Sequence, residues 1–535
     1  MLAIVSAPTV GRERIVPGPA ALRTLARGAL AVGVFAVFVS MSGAWRPSLW
    51  GDEAASLMSA MRPLGSLFAM LGHLDAVHGT YYLGLHGWIR LFGITPFAAR
   101  VPSALAMGVC AAGVAWVSGR FRGWRFGVAA GVVAAVLPRL TYAGLDVRSY
   151  AFSAALATLL VAIVGEIVLR TVPDPHAVPD LHGAPRLRRA VGLRWWVAYA
   201  VVLAVGIYVF LYTSLMALAI GAALVAIPDL RTQLRRWFLA TAGGVLAAAP
   251  VVWFGIVERH QIGFLSHRNE INAQSVLVTM WFGSIWFALL AWALVVVAVI
   301  ELAVSSVRRG RSLPPETRLG VLAAAWLFIP VGLLVAASAF ASGYTSRYGT
   351  FAAPAAAILM VAGMSRLGKL AARRRWNGAG RWLPAVTFAA VVALALPIWA
   401  AQRGPYGMGS DWNQITATVS ARAQPGDAVL FDHTRRPSKR PRLALDTNPT
   451  AYIGLHDVLL RTPYAHRTTW YDSVYSIPEA AARGRFDGID RLWVVEYRTA
   501  SGKADRWGLA ALTALGYHRV GSIGGHRHVV LEYSR

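Results

Sequence analysis

Long apolar runs broken by short, arginine-rich segments dominate the first four hundred residues of this 535-residue chain. A bilayer core takes about 20 apolar residues per helix. Eleven runs meet that need, near 28–45, 99–119, 126–143, 149–169, 195–211, 213–229, 237–256, 276–302, 319–342, 350–366 and 383–401. The pair between 195 and 229 is short for two spans. The connection at 46–98 is too long for a simple linker. Past about residue 402 the pattern changes: Pro, Gly, Asp and Arg become frequent and no long apolar run returns. There "PGDAVLFD" (425–432), "DRLWVVEY" (490–497) and "HRHVVLEY" (526–533) read as strands. "ADRWGLAALTALGY" (504–517) has apolar residues at helical spacing and reads as a helix ending near Gly516. The pattern predicts an N-terminal segment (1–27), a helical membrane module (28–401) and a small α/β domain (402–535).

Composition supports the membrane class. The chain is 56% hydrophobic and 14% charged, where soluble domains carry about 25% charged residues. A formal net charge of +27 invites a nucleic-acid partner. The positions of the charges argue against one, because many sit in the short loops between spans. Counted over alternate loops, Lys and Arg divide about 25 to 9. The basic set, which includes Arg23, Arg120, Arg235, Arg309 and Arg373, is expected to face the cytoplasm. The N-terminus is then cytoplasmic, and the C-terminal domain lies outside a bacterial plasma membrane. The Pro- and Arg-rich segment 171–194 reads as a flexible cytoplasmic loop. Small residues at Ser40, Ser42 and Gly43 permit signal cleavage, but the many later spans favour a retained first helix. The single cysteine, Cys110, excludes an internal disulfide and a cysteine-based metal site.

Candidate chemistry gathers on the outer loops. The first holds Asp52, Glu53, His73, Asp75, His78, Tyr81, Tyr82 and His86; the next holds Asp146, Arg148 and Tyr150; a late one holds Arg347 and Tyr348. Ionisable groups at a membrane are costly and point to function. Glycosyl transfer from a lipid phosphate would use such a set. A carboxylate takes the acceptor proton, and arginines stabilise the departing phosphate. No P-loop and no GxGxxG after a strand is present. The bland readings are specific. Asp52 caps a helix beginning at Glu53. Arg148 bridges to Asp146 or Asp52. "ERHQIGFLSHRNE" (258–270) is a solvated loop. "HTRRPSKRPR" (433–442) is a solvated loop or touches anionic headgroups or cell-wall polymer.

Several motifs, in order, resemble a known family. "LWGDEAASL" looks like the Asp-Glu motif of the first outer loop in GT-C membrane glycosyltransferases, notably the family 39-like enzymes that use dolichyl- or polyprenyl-phosphate mannose. "HLDAVHGTYYLGLHGWIRLFGITPFAARVPSAL" (73–105), "LDVRSYAF" (145–152), "SRYGTFAAPA" (346–355) and "DWNQITATVSARAQPGDAVLF" (411–431) resemble later stretches of those enzymes. Two departures stand out: Gly79-Thr80 follows His78 where Pro-Pro or Pro-Leu is common, and Asp146 stands where Glu is usual. The resemblance implies an inverting displacement with Asp52 as general base. Glu53, Asp75, His78, Tyr81, Asp146, Arg148, Tyr150, Arg347 and Tyr348 would bind substrate. It implies a polyprenyl-phosphate sugar donor, a cell-envelope glycan, lipid or protein acceptor, and no required cofactor. A divalent ion on Asp52, Asp75 and His78 is the minor alternative. Mannose is the first expectation for the sugar and arabinofuranose, or another pentose, the second. A transporter of lipid-linked sugars and a catalytically inert scaffold are the competing classes.

Overall fold

The computed structural model describes residues 18–171, 192–261, 263, 271–310, 313–338, 343–373, 379–498 and 507–535. Most of the segment 171–194 therefore lies outside the described residues, as does most of 262–270.

The chain is a polytopic helical bundle with a small α/β region at its C-terminal end. The helices are α1 (Pro19–Met41), α2 (Gly51–Met61), α3 (Leu64–Leu71), α4 (Gly79–Phe92), α5 (Pro96–Arg122), α6 (Trp124–Val136), α7 (Pro138–Ala143) and α8 (Tyr150–Thr171). There follow α9 (Leu193–Val209), α10 (Leu215–Ala226), α11 (Leu234–Ala247), α12 (Ala249–Val257), α13 (Ile285–Arg309), α14 (Pro315–Ala337), α15 (Ala353–Arg373) and α16 (Leu383–Gln402). Each of the eleven apolar runs carries a helix. Among the described residues, seven helices are long and apolar enough to cross a membrane, and the α11–α12 pair makes an eighth if its bent halves count as one. The remaining three, α6, α9 and the stretch Leu211–Ala226, are shorter.

Local chemistry explains where helices depart from the apolar pattern. The run 126–143 is two helices because Pro138 lacks an amide donor and starts α7. The run 237–256 bends by 61° between α11 and α12, where Pro250 falls in a first turn. The run 276–302 contributes only its second half to a span. Residues Gln274–Thr279 form a π-helical turn, and Gly283 takes a φ of 67° that ends it. Val278, Met280, Trp281 and Phe282 are buried inside the bundle rather than along α13.

Close helix packing relies on small residues. A Cβ on Gly127 of α6 would fall 2.3 Å from the Ala115 carbonyl of α5, and one on Gly363 of α15 would fall 2.1 Å from that of Leu294 in α13. Lipid supplies no hydrophobic drive between spans, so such approaches carry the association.

After α16, helix α17 (Trp412–Ser420) leads into the strands: β1 (Ala428–Phe431), β2 (His456–Asp457), β3 (Leu460–Thr462), β4 (Ser473–Val474), β5 (Arg491–Tyr497), β6 (His518–Gly524) and β7 (His528–Ser534). Five form one sheet in the order β2-β1-β5-β7-β6. β1 pairs parallel with β2 and β5; β5, β7 and β6 run antiparallel. Successive side chains in a strand point to opposite faces. Thus Ala428 and Leu430 enter one core with Leu492 and Val494, while Val429 and Phe431 enter another with Trp493 and Val495. That second core is continuous with Leu57 and Met58 of α2 and with Tyr82 and Leu85 of α4. The sheet is therefore welded to the connection between the first two long helices. The helix expected at 504–517 is confined to Ala510–Ala514, with 499–506 outside the described residues, and β6 was not evident from the pattern.

Candidate active site

The first turn of α2 presents two carboxylates in opposite situations. The helix begins at Gly51, with Trp50 as its N-cap. Glu53, at the third helical position, accepts the Trp50 amide at 3.1 Å. Glu53 is the reciprocal member of a capping arrangement, so the expected cap at Asp52 is not formed. Glu53 is fully buried and also accepts from Arg100 Nε (3.1 Å), Arg100 Nη2 (3.0 Å) and the Val147 amide (3.0 Å). Arg100 binds the carbonyls of Ala44 (2.7 Å) and Pro47 (2.9 Å) with its remaining donors. This is a closed knot that fixes α2 to α5 and to the 147 loop. Arg100 stands in the 73–105 stretch that resembles the family, where the sequence did not single it out.

Asp52, one residue earlier, turns the other way and keeps 27% of its side chain exposed. Its Oδ2 lies 2.7 Å from Arg347 Nη1. The Arg347 guanidinium rests over the Trp50 indole at 4.9 Å, and its Nε is buried with no partner. Beside this pair opens a cavity of about 630 Å³. Trp50, Arg139, Tyr142, Thr345, Arg347 and Gln402 are among the residues that line it. Arg139 is held there by the carbonyls of Met280 (2.8 Å) and Thr279 (2.7 Å).

A second cluster forms behind Asp52. Asp75 takes a left-handed φ of 63°. Aspartate tolerates that conformation better than most residues. Gln261 Oε1 accepts its amide at 3.1 Å, and Glu258 Oε2 accepts the Ala76 amide at 3.0 Å. The start of "ERHQIGFLSHRNE" thus docks against the site instead of standing in solvent. His78 Nδ1 meets Asp75 Oδ1 at 2.6 Å, and His78 Nε2 meets Arg148 Nη2 at 3.2 Å. Arginine only donates, so the imidazole accepts at Nε2 and donates from Nδ1 to Asp75. The Tyr82 hydroxyl donates to the other Asp75 oxygen. Burial works against the Asp75 charge, but His78, Arg148 and Tyr82 hold its carboxyl below the usual range. Arg148 also donates to Ser56 Oγ at 3.2 Å, one turn along α2 from Asp52. It reaches neither Asp146 nor Asp52 as a structural bridge.

Asp146 is buried, with one oxygen accepting from Trp50 Nε1 at 3.0 Å and the other unpartnered. Burial, with the Glu53 charge nearby, pushes its carboxyl up to about 7. Tyr150 and Tyr348 stack into an aromatic wall with Phe210 and Tyr212. Tyr81 is buried edge-on to Phe152 at 5.9 Å, and its hydroxyl feels the charges of Asp146 and Arg148. One residue along α4 is a rotation of about 100°, which is why Tyr82, not Tyr81, joins Asp75 and His78. The structure therefore gathers Asp52, Asp75, His78, Arg148 and Arg347, surrounds them with Asp146, Tyr150 and Tyr348, and turns Glu53 and Tyr81 inward.

A metal on Asp52, Asp75 and His78 does not fit this geometry. Both His78 nitrogens are engaged, and among the described residues no three His, Cys, Asp or Glu side chains converge as ligands.

The helical bundle with its appended sheet is a fold shared with solved structures. Among solved structures, the chain is similar to ArnT from Cupriavidus metallidurans bound to undecaprenyl phosphate, at 14% identity and a TM-score of 0.51, covering 94% of this chain and 97% of that one. The apo form of the same protein gives 13% identity and a TM-score of 0.51 over the same shares. The archaeal oligosaccharyltransferase AglB from Archaeoglobus fulgidus aligns more loosely, at 11% identity and a TM-score of 0.45, over 88% of this chain and 69% of that one. No family model and no curated protein matches the chain.

Proposed function

We propose that the protein is a membrane glycosyltransferase that moves a sugar from a polyprenyl-phosphate donor to an acceptor hydroxyl, by a single inverting displacement with Asp52 as base. The observation that carries this reading is the partly exposed Asp52 carboxylate, paired with Arg347, which lines the 630 Å³ cavity. The ArnT structure contains undecaprenyl phosphate, and we carry that donor class to this chain. The donor phosphate enters the cavity between Arg347 and Arg139. Arg347 has a free Nε and a strong preference for phosphate oxygens. As it turns to the phosphate, its hold on Asp52 loosens. The freed carboxylate then accepts the acceptor proton while the sugar–phosphate bond breaks. Arg347 stabilises the charge left on the phosphate. Arg148 keeps the floor of the site cationic through the Asp75–His78 chain. The aromatic wall of Tyr150 and Tyr348 offers faces for the sugar.

In this reading the N-terminus is cytoplasmic and the C-terminal region extracytoplasmic, as the arginine bias in the loops suggests. Mannose is the first donor sugar to test and arabinofuranose the second. The test is transfer from labelled polyprenyl-phosphate sugars to cell-envelope acceptors by purified protein, wild type against Asp52→Asn. Transfer that collapses in the variant supports the mechanism; transfer that survives overturns it.

A further inference from the structure

We infer that the C-terminal region forms the acceptor side of this site and selects an anionic glycan polymer; the inference rests on the glycosyltransferase reading above. The arm after β1, residues 432–442, lies directly over the first turn of α2. A Cβ on Gly51, next to Asp52, would fall 2.5 Å from the Ser438 carbonyl oxygen. Apart from Arg442, the arm carries Arg435, Arg436, Lys439 and Arg440. Arg442 is buried and neutralised by Asp457 and Asp472. Among the described residues no carboxylate forms an ion pair with the other four. Arg436 and Lys439 are exposed. Arg435 lies 4.9 Å over the Tyr497 ring, and its Nε has no partner.

An aromatic pair stands beside the arm. Trp470 and Tyr471 meet edge to face with centroids 6.2 Å apart, and the Trp470 indole nitrogen has no partner. The Tyr471 hydroxyl is near enough to Asp52 and Arg440 to feel both charges, and with Arg440 it lines a small pocket at the arm. Its loop is pinned, because Arg62, at the end of α2, donates to the carbonyls of Arg467 (2.7 Å) and Thr469. Aromatic faces suit sugar rings. Unpaired cations suit carboxylate or phosphate substituents on them. None of these residues lines the cavity beside Arg347. Donor and acceptor thus reach Asp52 across different surfaces, and the acceptor surface is built for negative charge. An uncharged acceptor would leave the exposed Arg436 and Lys439 without a counter-charge.

The experiment uses the full chain in nanodiscs of zwitterionic lipid. The probes are polygalacturonate and its methyl-esterified, uncharged form, with binding read by interferometry. The charged polymer is expected to bind about tenfold more tightly in dilute buffer, and to lose that advantage as salt shortens the Debye length. Arg436→Gln with Lys439→Gln should weaken charged-polymer binding about tenfold and leave the esterified polymer unaffected. Both side chains are exposed, and an unchanged melting temperature verifies the fold. Arg436→Glu with Lys439→Glu should weaken it further. Equal binding of the two polymers, or variants that bind like wild type, overturns the inference. So does loss of wild-type polymer binding when anionic phosphatidylglycerol replaces the disc lipid, because the arm then serves headgroups. Asp52→Asn should bind the charged polymer normally. Binding that persists while transfer fails in wild type would sink the catalytic reading and leave this surface standing.

Discussion

Two arginine–carboxylate pairs start from adjacent residues of one helix turn, and they differ in everything except chemistry. Glu53 and Arg100 are both fully buried, and each carboxylate oxygen meets more than one donor. Asp52 and Arg347 remain partly exposed and share one contact of 2.7 Å, and Arg347 lines a cavity. A buried pair with every hydrogen bond filled has nothing left to offer a substrate. An open pair with a spare nitrogen can exchange partners. The comparison teaches that burial and satisfaction, not residue type, separate scaffold from candidate chemistry.

Four substitutions test that division, in order of expected effect. Asp52→Asn should lower the transfer rate by about 10²–10⁴-fold, the range for a lost general base, while the melting temperature stays put. Transfer kinetics beside a thermal melt check both halves. Glu53→Ala should do the reverse. It leaves the Arg100 guanidinium uncompensated in a dry site, a change that costs about 3–5 kcal/mol. Denaturation of the purified variant, or failure to accumulate in membranes, reads it. Arg347→Gln should reduce turnover by roughly 10²-fold, as for loss of one oxyanion donor, with a smaller change in stability than Glu53→Ala. Asp146→Asn should have the mildest effect, and one that depends on pH. An unfolded aspartate titrates near about 3.9, whereas the folded Asp146 carboxyl titrates at about 7. Between those values the folded state holds a proton that the unfolded chain has released, so stability falls as pH rises through the window. Asparagine still accepts from Trp50 and carries no charge. The variant should therefore melt above wild type at pH 8 and match it near pH 4. Equal melting at both values would show that Asp146 holds no such proton.

The bundle was legible in the sequence because membrane helices are written in long apolar runs, and all eleven runs proved helical. The breaks were less legible. Pro138 marked one plainly, but Gly283 turns the chain by a backbone conformation that composition does not announce. Strands β1, β5 and β7 were readable as apolar runs between turns. β6, "HRVGSIG", is largely exposed and lacks that signal. Within the site, Asp52, Asp75, His78, Arg148 and Arg347 came from motifs that resemble a family. The roles of Arg100, Trp50 and Arg139 are set by partners far along the chain, as when Arg139 binds the carbonyl of Met280. No local pattern encodes such a pairing. Tyr81 against Tyr82 turns on helix phase, which spacing from an uncertain helix start cannot fix.

The seam between α2 and the C-terminal sheet also bears on how the molecule is made. Ser48 bonds Gln414 across 366 positions of sequence, and Arg62 reaches Thr469 across 407. The turn that carries Asp52 is synthesised early, yet the residues that brace it arrive last. At about 5–20 residues per second, translation imposes a delay of roughly 20–80 s. Through that interval the loop after the first long helix must wait with Leu57, Met58 and Leu85 uncovered. Assembly of the site is thus a closing event of biogenesis, and a chain that stops short of the sheet would carry its helices without a finished centre.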